Sequence, residues 1–291
     1  MKRSWSEKVF DWTIIWIMIV LVLLTAYPLY YVLVASVSDG SRMMAHSGLL
    51  LKPYGFHLDA YVKVLDNPSI IKGYLNTLFV VGASVILNMT VTALAAYVLS
   101  RKNVYWNNLF TFLIVFTMFF TGGLIPFYLV VKGMGLMNSL WSLIIPFAVN
   151  TFNLIVMRTS FQAIPDSLEE SAKIDGANHP TIFARIVVPL SLPVMAVMAL
   201  YYTVEKWNGW FYASLFLKDR QLFPLQLILR EILISNSTDL MLGTTAADQI
   251  VQVSATLQYA TIVVATLPIL CVYPFVQRYF VKGVMIGAVK G

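Results

Sequence analysis

The chain has 291 residues, 59% of them hydrophobic and only 12% charged, with a formal net charge of +6. A soluble domain carries about 25% charged residues, so this composition argues against a water-soluble globular fold and for an integral membrane protein. The 20 Lys and Arg are scattered singly or in pairs between apolar segments, with no basic block or face for a nucleic acid. Their excess reads instead as a bias of membrane orientation.

In chain order, MKRSWSEK leads into the first of six segments long enough to cross a hydrocarbon core of about 30 Å. The spans are expected near 12–35, 74–99, 108–131, 138–158, 184–205 and 257–279, and their inner parts hold almost no Asp, Glu, Lys or Arg. Barrel-type alternation is missing and lipid leaves no backbone group unpaired, so the expectation is an all-α integral membrane fold with six transmembrane helices. The first apolar stretch exceeds the length of a signal-peptide core and lacks a good cleavage site, which makes it an uncleaved anchor. With a cytoplasmic N-terminus, the inside segments hold eleven of the 20 basic residues, among them Lys2, Arg3, Lys8, Arg101, Lys102 and Arg158. Both termini are then cytoplasmic.

The two longest connections, 36–73 and 206–256, fall outside. The second contains KWNGWFYASLF, PLQLILREILI and SNSTDL, and is too apolar for a plain linker. A functional loop and a lid on the membrane surface are both open readings. Pro189 and Pro193, four apart in the fifth span, predict a kink.

Between the fourth and fifth spans the chain reads IPDSLEESAKIDGANHP, from Ile164 to Pro180, the most polar stretch at its centre. Asp166 and Glu169 have capping-box spacing, and acidic residues crowd the first turn, where the helix dipole favours them. Gly176 is placed to stop the helix in a left-handed conformation, and Pro180 to open the next. The result is a short helix, a corner and entry into the fifth span. An ordinary capped loop fits these signals. So does a narrow helix, with Ser171, Ala172, Gly176 and Ala177, suited to another protein's groove.

ESAKIDGA at 170–177, followed by Phe183, Ile186, Pro189 and Pro193, resembles the EAA loop of ABC importer permeases. Ser171 and Val188 are mild departures from that pattern. The terminal FVKGVMIGAVKG is similar to the end of sugar-importer permeases of the maltose type, in the branch associated with oligosaccharide and polysaccharide-fragment uptake. The resemblance implies the type I ABC importer transmembrane fold, with a cytoplasmic coupling helix between the fourth and fifth spans. It divides the chain into 1–72, an N-terminal segment with the first span and an external loop; 73–280, the transmembrane core with its coupling loop at about 164–180; and 281–291, a cytoplasmic tail. It implies that Glu169, Glu170, Ala172, Asp175 and Gly176 couple the chain to an ATPase. The tail after Phe280, with Gly283, Gly287 and Gly291, is either a second ATPase contact or a frayed end.

The implied partners are a second homologous permease, two ATP-binding cassette subunits, an extracytoplasmic solute-binding protein, a sugar or oligosaccharide, and the lipid of a bacterial inner membrane. No cofactor is expected in this chain; ATP and Mg belong to the partner ATPase subunits. The sequence agrees in lacking G-x-x-x-x-G-K-[ST], and it offers no nucleophile–base arrangement, so it does not read as an enzyme. His46, His57 and His179 lie far apart and Cys271 stands alone, so no metal site is expected.

Polar residues inside spans include Asn88, Thr92, Asn150, Asn153 and Thr203. Asn150, Asn153 and Tyr202 are the candidates for a sugar path, against a role in helix packing. An ion- or proton-coupled secondary carrier is the alternative function, but it calls for ionisable residues within spans, and those positions are nearly empty. A structural or insertion subunit fits the spans but not the EAA-like loop.

Overall fold

The computed structural model describes residues 5–44, 48–242 and 256–271, and all regular structure among them is helical. The chain divides into two compact units, Met1–Pro68 with Leu229–Leu267, and Ser69–Ile228 with Pro268–Gly291.

In the first unit, α1 (Trp5–Ser36) is a 32-residue helix of which only Val34, Ala35 and Ser36 are buried. At 1.5 Å per residue it is about 48 Å long. Apolar all round yet exposed over most of its length, it has the surface of a helix meant for lipid. Its buried end packs with Leu50, Tyr31, Met43, Tyr54 and Tyr259. Polar atoms on α1 are satisfied locally: the Thr13 and Thr25 hydroxyls donate to the carbonyls of Val9 and Leu21, each at 2.8 Å. Two short helices follow, α2 (Gly40–Met44) and α3 (Asp59–Leu65).

The second unit begins with α4 (Pro68–Ser100), opened by a proline that needs no amide partner in the first turn. Its buried face carries small and polar residues, among them Gly73, Asn76, Thr77, Ser84, Asn88, Thr92 and Ala96. Such residues let helices approach closely where lipid removes the hydrophobic drive between them. A side chain at Gly73 would meet Ile228 Cδ1 at 2.6 Å and the Leu225 backbone at 3.2 Å. Nearby, Asn76 Nδ2 donates to the carbonyls of Gln221 and Phe223, at 2.7 and 3.1 Å. Thr77 Oγ1 accepts the Leu225 N–H at 2.9 Å. These bonds tie α4 to the start of α13 (Leu225–Leu242).

The spans expected at 108–131 and 138–158 are not single rods. The first is α5 (Asn107–Phe119) and α6 (Leu124–Gly133), which meet at 115°. The corner is FTGG, where Gly123 adopts φ +85°. The second is a pair of 3-10 turns, Leu140–Leu143 and Ile145–Phe147, bent by 46° from α7 (Thr151–Gln162). A hydropathy run counts apolar residues and is blind to direction, which is why both breaks were missed.

The kink expected in the fifth span is present. After α8 (Asp166–Ile174) and α9 (His179–Ile182), a π turn at Phe183–Val187 and α10 (Val188–Leu190) lead to a break at Ser191. Beyond it α11 (Leu192–Trp207) departs at 84°. Then come α12 (Phe211–Phe216), a 3-10 turn at Arg220–Leu222 and α13. Of the last expected span, Thr256–Cys271 forms an apolar helix, α14; residues 272–279 and the 281–291 tail lie outside the described residues. By length and composition α1 and α4 can each cross a membrane, and three bent pairs can if each counts as one span.

Candidate functional site

The EAA-like stretch folds as a helix, a corner and a second helix. The stop is a Schellman closure: the Gly176 N–H donates to the Lys173 carbonyl at 3.0 Å and the Ala177 N–H to the Ala172 carbonyl at 2.8 Å. Gly176 supplies the left-handed residue this needs, at φ +81°. Asn178 then caps α9, its Oδ1 accepting the Thr181 N–H at 3.0 Å and the Thr181 hydroxyl at 2.7 Å.

The capping box is not formed. Pro165 occupies the cap position of α8 without a side-chain bond, and Asp166 is the first helical residue. Glu169 turns instead into the chain's own core, where it pairs with Arg101 just past the end of α4. Arg101 also donates to the Phe161 carbonyl at 3.3 Å, and its guanidinium lies 4.8 Å from the centre of the Tyr97 ring. The Tyr97 hydroxyl in turn is 3.1 Å from Nδ1 of His179. A tertiary partner that neutralises a buried carboxylate outweighs a local backbone cap.

Ala172, three residues on, shares that inner side and packs with Tyr97, Phe161 and Ile182. The Glu169 carboxylate and the Ala172 methyl are thus occupied inside this chain. Glu170, Ser171, Lys173, Asp175 and Gly176 are exposed. Leu168 and Ile174 join them, at 43% and 87% exposure. A two-turn helix therefore has one side locked down and the other bare, acidic and apolar.

A second ion pair flanks the first. Lys102 Nζ donates to Asp166 Oδ2 at 2.7 Å, and both side chains are exposed. That hydrogen bond, together with the charge attraction, holds the Asp166 carboxyl below the usual carboxylate range and raises the Lys102 ammonium.

The sugar-path candidates come together, but as a knot. The Asn150 side chain caps α7 by accepting the Asn153 N–H at 3.2 Å, and the Asn150 N–H donates to the Tyr202 hydroxyl at 3.1 Å. Tyr202 is fully buried and Asn153 is 2% exposed. The tyrosine hydroxyl completes its bonding with Thr92 Oγ1 at 2.8 Å. These groups are occupied with one another, and none of the three lines either of the two cavities described next.

A cavity of about 240 Å³ is lined by Phe147, Glu205, Lys206, Asn208, Trp210 and Tyr212, with others. Lys206 Nζ lies 4.5 Å from the centre of the Phe147 ring and 3.7 Å from Glu205 Oε1. Aromatic faces beside a carboxylate, an ammonium and an amide suit a polyhydroxylated ligand. Its signal was KWNGWFY, noted for its aromatics but not as a cavity wall. A second cavity, about 380 Å³, is polar and lies beside Lys102, Trp106, Asn107 and Arg158.

The model of a family described as binding-protein-dependent transport system inner membrane component matches residues 88–286. The polygalacturonan/rhamnogalacturonan transport system permease protein YtcP of Bacillus subtilis is 41% identical over 98% of this chain and its own full length. Protein LplC of the same organism is 42% identical over 92% of this chain and 90% of its own. Among solved structures, a chain of a bacterial ABC transporter involved in the import of the acidic polysaccharide alginate superposes with a TM-score of 0.87. It is 30% identical and covers 96% of this chain and 99% of that one. A chain whose described residues form only helices, which keeps an EAA-like helix bare on one side and matches this family over two thirds of its length, belongs to the family of binding-protein-dependent transport system inner membrane components.

Proposed function

We propose that the chain is one of two permease subunits of an ATP-driven importer and that its cargo is a saccharide, in the class of oligosaccharides cut from polysaccharides. Its role is transport, not catalysis. The observation that carries the reading is α8, a short helix pinned on one side by Glu169 and Ala172 and open on the other at Glu170, Ile174 and Gly176. On this reading α8 is the coupling helix. Leu168 and Ile174 enter an apolar groove of an ATPase subunit, Glu170 meets a basic group there, and Asp175 and Gly176 form a corner narrow enough for close approach.

The cargo assignment is supported by the relatives, whose names include polygalacturonan/rhamnogalacturonan transport, and by the aromatic cavity beside Glu205 and Lys206. A six-span count with both termini cytoplasmic is supported by two long helices, three bent pairs and α14, and by the distribution of Lys and Arg. On that topology 1–72 forms the first span and its external loop, 73–280 the core, and 281–291 a cytoplasmic tail. The cavity then opens outside, towards a solute-binding protein, while a second permease and two ATP-binding subunits complete the assembly. Asn150, Asn153 and Tyr202 serve the path by holding α4, α7 and α11 in register rather than by touching sugar.

Glu170→Lys tests the coupling reading in the assembled transporter. The variant is expected to insert in the membrane and pair with the second permease, yet to lose the ATPase subunits on purification and to stop import. Normal ATPase association and import would refute the assignment of α8.

A further inference from the structure

We infer that Arg101 is the positioning residue that makes the end of α4 and the end of α7 move as one body with α8. The inference rests on the reading of α8 as the coupling helix. A guanidinium is a rigid planar fork whose donors reach separate acceptors at fixed angles. Here they reach three: the Glu169 carboxylate on α8, the Phe161 carbonyl in the last turn of α7, and the Ser100 hydroxyl at the end of α4. The plane is backed by Tyr97, whose hydroxyl reaches His179, the first residue of α9. Three helices therefore meet at the Arg101 side chain, and Tyr97 links a fourth.

Burial separates this contact from a partner interface. The Arg101 and Glu169 side chains are 10% and 8% exposed, so an ATPase cannot reach either without unpacking the core. Stability alone is a poor reason for such a pair, because apolar residues of similar volume commonly replace a buried ion pair without loss. What apolar replacements cannot reproduce is a directional tie to three helices at once. The chain itself joins α8 to α7 through residues 163–165 alone, but forward to α11 it runs through a Schellman corner, a π turn and an 84° break at Ser191, and it gives α8 no short route to α4. The Lys102–Asp166 bond adds little stiffness, because both groups are exposed.

The test uses the complete transporter with its ATPase subunits, carrying spin labels at Val98→Cys on α4 and Ser167→Cys on α8, both exposed positions. With Arg101 and Glu169 intact, the distance distribution is expected to be the same in the nucleotide-free and ATP-trapped states. In Arg101→Met with Glu169→Leu, the ATPase subunits should still co-purify, while the distance shifts on ATP trapping by about 2 Å, the usual size of helix displacements in switching. Arg101→Lys keeps the charge but loses the fork; it should show the same shift and serves if the double variant does not assemble. An unchanged distribution in both variants overturns the role of Arg101. Loss of the ATPase subunits from a double variant that still pairs with the second permease also overturns it, by making the pair a partner contact. Failure of the coupling reading is seen separately, in the ATPase association of Glu170→Lys.

Discussion

The hydroxyl of Tyr202 lies 2.8 Å from the hydroxyl of Thr92 and accepts the backbone N–H of Asn150 at 3.1 Å. One oxygen thus joins α11, α4 and the start of α7. Tyr202→Phe keeps the ring but takes the partner from the buried Thr92 hydroxyl and from the half-buried Asn150 N–H, at a cost of about 1–3 kcal/mol. The expected result is a melting temperature lowered by several degrees with the saccharide concentration for half-maximal import unchanged. A shifted import constant with normal melting would return Tyr202 to the sugar path.

Glu169 and Glu170 are adjacent carboxylates in opposite situations. Glu169→Ala leaves the Arg101 guanidinium buried without its counter-charge, which costs about 3–5 kcal/mol. Glu170→Ala removes an exposed side chain and stays within about 0.5 kcal/mol. Thermal unfolding of the isolated permease pair should separate them, with Glu169→Ala melting well below the parent and Glu170→Ala beside it.

Gly176 has φ +81° and open space around the position a Cβ would take, so any penalty there is purely conformational. Gly176→Ala is expected to cost about 1–2 kcal/mol from the left-handed backbone. Gly176→Asn should cost less, because asparagine tolerates that region. Equal melting temperatures for the two variants would mean the corner does not hold that conformation.

The Lys102–Asp166 bond carries a pH signature. Asp166 is depressed in the folded chain, so its contribution is present above the unfolded value of about 3.9 and is lost as pH falls through the lower folded value. Lys102 is raised, so its share is present below about 10.4 and is lost as pH rises through the higher folded value. The small melting advantage of the parent over Asp166→Asn should be flat through neutral pH, begin to fall below about pH 4 and vanish once pH has passed the lower folded value, and shrink in high salt. An advantage that persists in acid would assign it to something other than this pair.

Local signals were the readable ones. The helix stop at Gly176, the restart at NHP and the kink between Pro189 and Pro193 all follow from backbone preferences of residues near one another in the chain, and all are present. Glu169 leaves its capping box for a partner that stands 68 residues away. Nothing in a capping-box spacing discloses an arginine at the far end of another helix. Asn76 was passed over for the same reason, since the carbonyl it meets at Gln221 is 145 residues distant. Asn150, Asn153 and Tyr202 stand out by polarity, but polarity does not say whether such groups bond to a ligand or to each other.

The FTGG corner between α5 and α6 has a bearing on biogenesis. A translocating chain is sorted into the bilayer by the summed hydropathy of a window, and over 108–131 that sum describes one uninterrupted segment. The 115° turn contributes nothing to the sum. Insertion and shape are therefore written in separate residues of the same stretch. The apolar side chains secure entry, and Gly122 and Gly123 decide, afterwards, that the inserted segment is not a rod. Replacing the two glycines by alanine should leave membrane integration untouched while the mature permease fails to assemble, a defect that a screen for integration alone would pass over.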